Sequence, residues 1–396
     1  MPAHRDRLGD QIVRVLEKRG GSTRRELAVA LDLPPSSIAS AVDRLIARGV
    51  VHEETDVRSE HGGRVGRPPN LVKLSRASQV AVLVIGHHSL EAAVVTPDGT
   101  VVAHAARAFD SMRADDALDP GIGLLHETQA TLNDAAHPTI SGLVVAVPRP
   151  NHHGTATAMF SESTLVGRPL GMPRWWAVDP EPRLRAEFGV DVFVENDANL
   201  AAIGEQTFGA GRGARDVIHL TFIPAFGAGV VSNGRLVRGA RGIAGEIGHI
   251  QVDERGPLCL CGNRGCVLMQ PEAKAVIDEI RYATAERAEG ALDGRELLDS
   301  DDQRLRRMLG EQGSVLAPYL STACMFLNPS MIIVDAALGS AADAVVEGLS
   351  EGIRRSSPAN VFTHLEIRRG ELPGRAMILG AAALFAHERS PASRAV

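Results

Sequence analysis

In the first 80 residues, apolar side chains recur at three- and four-residue intervals in three separate runs. Leu8, Ile12, Val15 and Leu16 place an apolar stripe on a helix over Arg7–Arg19, and Gly20-Gly21 should stop it. Ser22 or Thr23 can cap a second helix over Arg24–Leu31, with Leu27, Ala28 and Leu31 facing inward. Asp32-Leu33 makes a short turn. A third helix over 34–48 opens on Pro34-Pro35-Ser36-Ser37, since proline is tolerated in a first turn. Ile38, Val42, Leu45 and Ile46 form its buried stripe, and Gly49 ends it. Two helices joined by a short turn behind a support helix are the pattern of a helix-turn-helix. Val50-Val51-His52-Glu53 then reads as a strand and Leu71-Val72-Lys73-Leu74 as its return partner. Between them lies a Gly- and Pro-rich tip carrying Arg64 and Arg67.

Beyond residue 80 the pattern changes. The apolar run from Val80 to Ile85, the segment Leu90–Val95 after it, the turn Pro97-Asp98-Gly99 and Val101-Val102-Ala103 read as a hairpin with a third strand. Buried strands at 140–147, 191–194, 217–222, 229–231 and Met331–Val334 alternate with helical stretches, which gives an α/β architecture. The strand-turn-strand pattern near residue 217 echoes the hairpin at 81, so two similar α/β halves enclosing a cleft are expected.

Charge divides the chain in the same place. Residues 1–80 carry a net +4 and the remainder −10, within an overall −6. A basic head on an acidic body fits a nucleic-acid-binding module joined to a ligand-binding one. The head contains no Phe, Trp or Tyr, so it lacks a base-stacking platform and favours duplex DNA over single strands. In such a head the third helix would enter the major groove with Ser36, Ser37 and Ser40 outward. Arg24, Arg25 and Arg44 would contact phosphates, and Arg64 and Arg67 of the wing would follow the backbone or the minor groove. No apolar stretch approaches the ~20 residues of a membrane span, and the charged start lacks a signal-peptide core, so a cytoplasmic protein with no membrane partner is expected.

Of the four cysteines, Cys259, Cys261 and Cys266 crowd into eight positions behind His249. Three thiolates and one imidazole are the donor set of a closed tetrahedral zinc site, and four protein ligands leave no position for a catalytic water. The ion should therefore be structural Zn²⁺. Cys324, among Leu320, Ala323, Met325 and Phe326, reads as a core residue.

With Glu195-Asn196-Asp197-Ala198-Asn199, Gly245-Glu246-Ile247-Gly248-His249 and the cysteine loop in family order, the chain resembles the ROK family over nearly its whole length. That family groups bacterial sugar-responsive repressors and sugar kinases. The resemblance implies a duplicated actin-like (RNase H-like, ASKHA) fold preceded by a winged helix-turn-helix. It divides the chain into a head at 1–80, a first half at 81–195 plus 380–396, and a second half at 196–379 with the zinc loop. It also implies that Asn196, Asp197 and Glu246 hydrogen-bond a sugar, with Asp197 in the place of the kinases' base, and that His249 links the metal to the pocket.

Departures from the family pattern shape the functional expectation. Val84-Ile85-Gly86-His87-His88 stands where the kinases have Asp-x-Gly-x-Thr, Ile223-Pro224-Ala225 where they have Gly-Thr-Gly, and Asp335-Ala336-Ala337 where a Gly-rich turn meets adenosine. Phosphoryl transfer depends on positioning and charge stabilisation, so no catalytic residue is assigned. The sugar site departs as well. Leu268 replaces a Glu, Arg149 replaces a Gly, and Thr164 stands for an Asn. These changes point away from the usual monosaccharides, with an anionic sugar as one reading and a silent pocket as another. The expected function is a DNA-binding regulator of sugar-related genes, a repressor by resemblance, acting on an operator as a homodimer or homotetramer. A sugar or sugar derivative would control it. A sugar kinase and a ligand-independent DNA-binding scaffold are the alternatives.

Overall fold

The computed structural model describes residues 7–47, 51–55, 70–74, 79–111, 113–132, 140–152, 155–156, 173–222, 226–259, 261–270 and 303–389. The head folds from α1 (Arg7–Arg19), β1 (Ser22–Thr23), α2 (Arg24–Leu31), α3 (Pro35–Ala47), β2 (Val51–Thr55) and β3 (Asn70–Leu74). Thr23 caps α2 in a reciprocal box. Its hydroxyl accepts from the Glu26 N–H at 3.2 Å, and its own N–H donates to the Glu26 carboxylate at 2.7 Å. The same Ser22-Thr23 pair forms β1 against β3, completing a three-stranded antiparallel sheet of order β1-β3-β2. A two-residue strand leaves no periodicity to read. The stripe of α3 is Ile38, Ala41, Val42 and Leu45, whereas Ile46 is 37% exposed. Steps of three and four residues keep 38, 41, 42 and 45 on one face, and position 46 falls on its rim.

The body contains two five-stranded sheets of the same topology. The first comprises β4 (Val80–Ile85), β5 (Ser89–Val95), β6 (Val101–Ala108), β7 (Gly142–Val147) and β10 (Asp191–Asn196), in the order β10-β7-β4-β5-β6. A minor hairpin, β8 (Asn151–His152) with β9 (Thr155–Ala156), lies between β7 and β10 in sequence. The second sheet comprises β11 (Val217–Thr221), β12 (Gly227–Ser232), β13 (Arg235–Leu236), β14 (Met331–Val334) and β15 (Glu366–Arg369), in the order β13-β12-β11-β14-β15. Each sheet pairs an antiparallel meander with two parallel strands beside its first member.

Helices cover the sheets. On one face of the first sheet, α4 (Leu118–Ala130) and α5 (Glu181–Phe188) bury Leu124, Leu125 and Leu184 with Trp175 and Trp176. The other face receives α6 (Asp197–Phe208) and α10 (Ala376–Arg389), through Leu200, Ile378, Leu384 and Phe385. The long α7 (Gln303–Leu327) and α8 (Ala342–Ser356) cover the second sheet, and the short α9 (Ala359–Thr363) follows. Gly204 and Gly380 let α6 and α10 touch backbone to backbone. A Cβ on Gly204 would lie 2.0 Å from the Ala376 carbonyl oxygen, and one on Gly380 1.8 Å from that of Leu200. Helix α6 also contacts β11 and β12, so it packs against both sheets.

Candidate functional site

The chain reverses twice to gather four soft donors. The Cys259 N–H donates to the Asn263 carbonyl at 2.7 Å and the Gly262 N–H to the Cys259 carbonyl at 3.0 Å, closing a tight turn that carries Cys261. Gly265 takes φ +60, and a Cβ there would sit 1.6 Å from the Asp253 carbonyl oxygen, so only glycine lets the loop close before Cys266. Cys259 Sγ lies 3.4 Å from His249 Nδ1, Cys261 Sγ lies 3.7 Å from Cys266 Sγ, and all four donor atoms fall within 4.8 Å of one another. This cluster can hold a metal ion. Burial and the neighbouring sulfurs push the Cys266 thiol up to about 12, and burial raises Cys259 too. A dication at their centre would reverse that, since thiolates bind it as anions. Cys324 is buried in the core of the second half, apart from the cluster.

One imidazole joins the cluster to the Glu246 carboxyl. With Nδ1 facing Cys259, His249 Nε2 lies 3.9 Å from the Glu246 carboxylate. Glu246 is pushed up to about 7, first by burial and then by the field of Asp197. Asp197 itself opens α6 at the end of β10 and is raised to about 6 by burial, although its carboxylate accepts from the Ala198 N–H at 2.8 Å. Asn196 caps that helix, accepting from the Asn199 N–H at 3.1 Å and donating to the Arg149 carbonyl at 3.2 Å. Asn196, Asp197, Glu246 and His249 therefore share one neighbourhood between the halves. Two raised carboxyls there suit hydroxyl recognition, because each can donate or accept.

Glu195, one residue before Asn196, pairs with Arg238. Its buried carboxylate meets Arg238 Nε at 2.6 Å and also accepts from Asn199 Nδ2 at 2.9 Å, while Arg238 reaches Glu388 on α10 at 3.3 Å. This three-residue tie between β10, the segment after β13 and α10 has no local signature, since its partners stand 43 and 150 residues apart. Leu268 packs among apolar neighbours of the second core.

At the turn between β4 and β5, the Gly86 N–H closes a tight hairpin on the Ser89 carbonyl at 2.9 Å, Val84 is buried, and the His87 ring meets Trp176 edge-on at 6.2 Å. Asp335 caps the segment Ala336–Ala341 through the Ala337 N–H at 2.9 Å, and burial together with Glu205 and Asp197 pushes it up to about 6. Residues 223–225 and Thr164 lie outside the described residues.

In the head, Ser36 and Ser40 are exposed near the start of α3 and Ser37 is half-buried; Arg25 and Arg44 are exposed. Arg24 has partners within the head that the sequence did not reveal. Its guanidinium is held by Glu53 at 2.6 Å and Asp43 at 2.7 Å and donates to the Ala39 carbonyl at 3.3 Å, so it ties α2, α3 and β2 together. Sequence spacing could not reveal those partners across three elements. Arg64 and Arg67 lie outside the described residues.

Comparison with known proteins agrees with this two-part layout. Residues 81–388 match the ROK family, and residues 5–52 match a family described as winged helix-turn-helix DNA-binding. The chain is 27% identical to the xylose repressor of Bacillus subtilis over 82% of this chain and 80% of that protein. It is 32% identical to a glucokinase of Thermotoga maritima over 59% of this chain and 77% of that enzyme. A crystal structure of a ROK family transcriptional regulator, homologous to the Escherichia coli Mlc protein, superposes with TM-score 0.72 at 21% identity, over 96% of this chain and 95% of the other. Among the described residues, no helix is long and apolar enough to cross a membrane.

Proposed function

The chain belongs to the ROK family, and we propose that within it the protein is a DNA-binding transcriptional regulator of sugar-related genes, with a repressor's mode of action, controlled by a sugar-type effector in the cleft. One observation carries this reading: a winged helix-turn-helix head and a ROK body occupy one chain. The similarity to a xylose repressor supports the regulatory role. The glucokinase similarity, which spans 59% of this chain, is the observation that favours a kinase. Against it stand the substituted turns. Val84 offers no metal-binding carboxylate, Asp335 adds negative charge on the nucleotide side, and Pro224 removes an amide donor.

In this reading Ser36, Ser37 and Ser40 face base edges while Arg25, Arg44, Arg64 and Arg67 contact the backbone. Two heads occupy two half-sites about 34 Å apart, which requires a homodimer or homotetramer acting in the cytoplasm. His249, Cys259, Cys261 and Cys266 would hold one Zn²⁺, whose contribution is to fix the loop and the orientation of His249. Asn196, Asp197, Glu246 and His249 would bind the effector's hydroxyls.

The test is selection of genomic fragments by the purified, zinc-loaded protein, with a coupled ADP-release assay over a sugar panel run on the same preparation. Enrichment of a few fragments over random duplex, without turnover, is the expected result. Sugar-dependent ADP release would establish the kinase. Equal retention of all duplexes would remove the operator from the account, and enrichment indifferent to every sugar would leave a constitutive scaffold.

A further inference from the structure

The three cysteines of the loop differ in exposure. Cys259 and Cys266 are buried, whereas Cys261 is half-buried and is the thiol that solvent reaches first. Its Sγ lies 3.7 Å from that of Cys266. Two sulfurs held tetrahedrally by one Zn²⁺ at about 2.3 Å stand roughly 3.8 Å apart, so the pair has the spacing of two zinc ligands. That separation exceeds a covalent S–S bond by roughly 1.7 Å. The turn between the two thiols can take up the movement, because Gly262 at φ +89 and Gly265 at φ +60 stand at its ends and Gly262, Asn263 and Arg264 are exposed. Its base is fixed. The Gly265 N–H donates to the Pro257 carbonyl at 2.9 Å, the Val252 N–H to Gly265 at 2.8 Å and the Val267 N–H to Ile250 at 2.9 Å. Cys266 is thus held beside the segment that carries His249, while Cys261 rides on the turn.

We propose that Cys261 and Cys266 are an oxidant-sensitive pair, which hydrogen peroxide closes to a disulfide with release of the zinc that the reduced cluster holds. This rests on the reading of the cluster as a Zn²⁺ site. The Cys261 thiolate attacks one peroxide oxygen. An S–O bond forms, the O–O bond breaks, and the departing hydroxide takes up a proton as water. The Cys266 thiolate then attacks that sulfur. The S–S bond forms, the S–O bond breaks, and a second hydroxide leaves as water, so the two thiolates give up two electrons and the peroxide accepts them. With two of the four donors withdrawn, Cys259 is the remaining thiol of the cluster and faces His249 at 3.4 Å. The imidazole 3.9 Å from Glu246 loses its anchor, and the oxidation state of the loop reaches that carboxyl. In a reducing compartment such a bond is transient, which suits sensing rather than structure.

The test treats the full-length, zinc-loaded protein with excess hydrogen peroxide. Zinc release is followed with a chromogenic chelator, free thiols are counted, and the oxidised chain is mapped by mass spectrometry after non-reducing proteolysis. The expected result is loss of all stoichiometric zinc in step with a disulfide joining Cys261 to Cys266, and a fall from four free thiols to two. Dithiothreitol with added zinc should restore both thiols and metal. Cys324→Ala, which alters a buried cysteine apart from the cluster, should release zinc and form the same disulfide at the parent's rate. Retention of zinc and of all four thiols overturns the proposal, as does a disulfide on Cys259 or between chains, or oxidation of Cys261 to the sulfinic acid with no disulfide. A chain that binds no zinc when reduced fails the metal reading, and the release step with it. A zinc-loaded chain inert to peroxide fails this proposal alone.

Discussion

Replacing Arg238 should weaken the joint between the two body sheets more than any exposed ion-pair substitution. Its Nε lies 2.6 Å from a Glu195 carboxylate that is 2% exposed, while the arginine side chain is 27% exposed. Unit charges about 4 Å apart attract by roughly 4 kcal/mol at an effective dielectric of about 20, and desolvation of the two ions cancels much of that. Deleting only the arginine leaves the carboxylate buried, which typically costs about 3–5 kcal/mol. The low end applies here. Glu195 keeps the Asn196 N–H at 2.8 Å and Asn199 Nδ2 at 2.9 Å, and water can follow along the exposed side of Arg238. The expected cost of Arg238→Met is therefore about 3 kcal/mol. The chain's two tryptophans, Trp175 and Trp176, are both buried in the core of the first sheet, so their fluorescence in a urea titration reports that half. The double variant Arg238→Met/Glu195→Gln should recover about 1–2 kcal/mol of the loss, because it removes the stranded charge. Arg212→Ala, which breaks an exposed pair with Glu371, should cost under about 0.5 kcal/mol. If Arg238→Met stays within that same margin, or the two single losses simply add in the double variant, the tie has no energetic role and the reasoning fails.

Three further outcomes follow from the site geometry. Cys261→Ser, or verified metal removal, should abolish stoichiometric zinc in elemental analysis and lower the unfolding midpoint, and a variant retaining one tightly held ion per chain would refute the four-donor assignment. Arg44→Ala should weaken DNA binding and reduce the salt slope by about 1, whereas Arg24→Ala should instead lower the stability of the head; interchanged results in fluorescence anisotropy and thermal unfolding would show that the two arginines have the opposite roles. Asp335 is raised from 3.8 to about 6, so the folded state holds its proton more tightly; stability present below pH 4 is lost as pH rises through 6, by about 1–2 kcal/mol after screening. Asp335→Asn should flatten that part of the difference between the two stability profiles, and parallel profiles from pH 4 to 7 would remove the effect.

The sequence was most informative where one local rule decided the outcome. Helices α1 and α2 fall on the residues their periodicity predicts, Thr23 caps α2, and Met331–Val334 is a strand, because stripe, cap and flanking residues agree within a dozen positions. The cysteine loop was legible for the same reason, since donor spacing is a local property. Strand β15 went unread because Glu366, Arg368 and Arg369 break an apolar pattern, and β6 extends past the expected 103 to Ala108 through alanines interrupted by His104 and Arg107. The ion partners of Arg24 and the Arg238 tie went unread, because an ion pair's partner is set by tertiary packing. The chemistry of a charged side chain was visible; its neutralisation was not.

That difference bears on how the cleft could govern the head. Asn196 ends a strand of the first sheet and caps α6, and α6 packs against β11 and β12 of the second. Glu195, one residue earlier, is held by Arg238 from the second half. A ligand on Asn196 and Asp197 therefore touches the point where the chain passes from one sheet to the other, within one residue of a salt bridge across the same joint. If it binds one angle between the halves better than another, that preference is its whole leverage, because equal affinity for both shifts nothing. Thirtyfold discrimination corresponds to about 2 kcal/mol, comparable with the predicted cost of losing Arg238. On the proposed function, a tie of that size would set the resting angle and an effector of that discrimination would override it. Arg238→Met should accordingly change operator affinity in the absence of ligand and reduce the further change that ligand produces; an unaltered response in both would separate the joint from the switch.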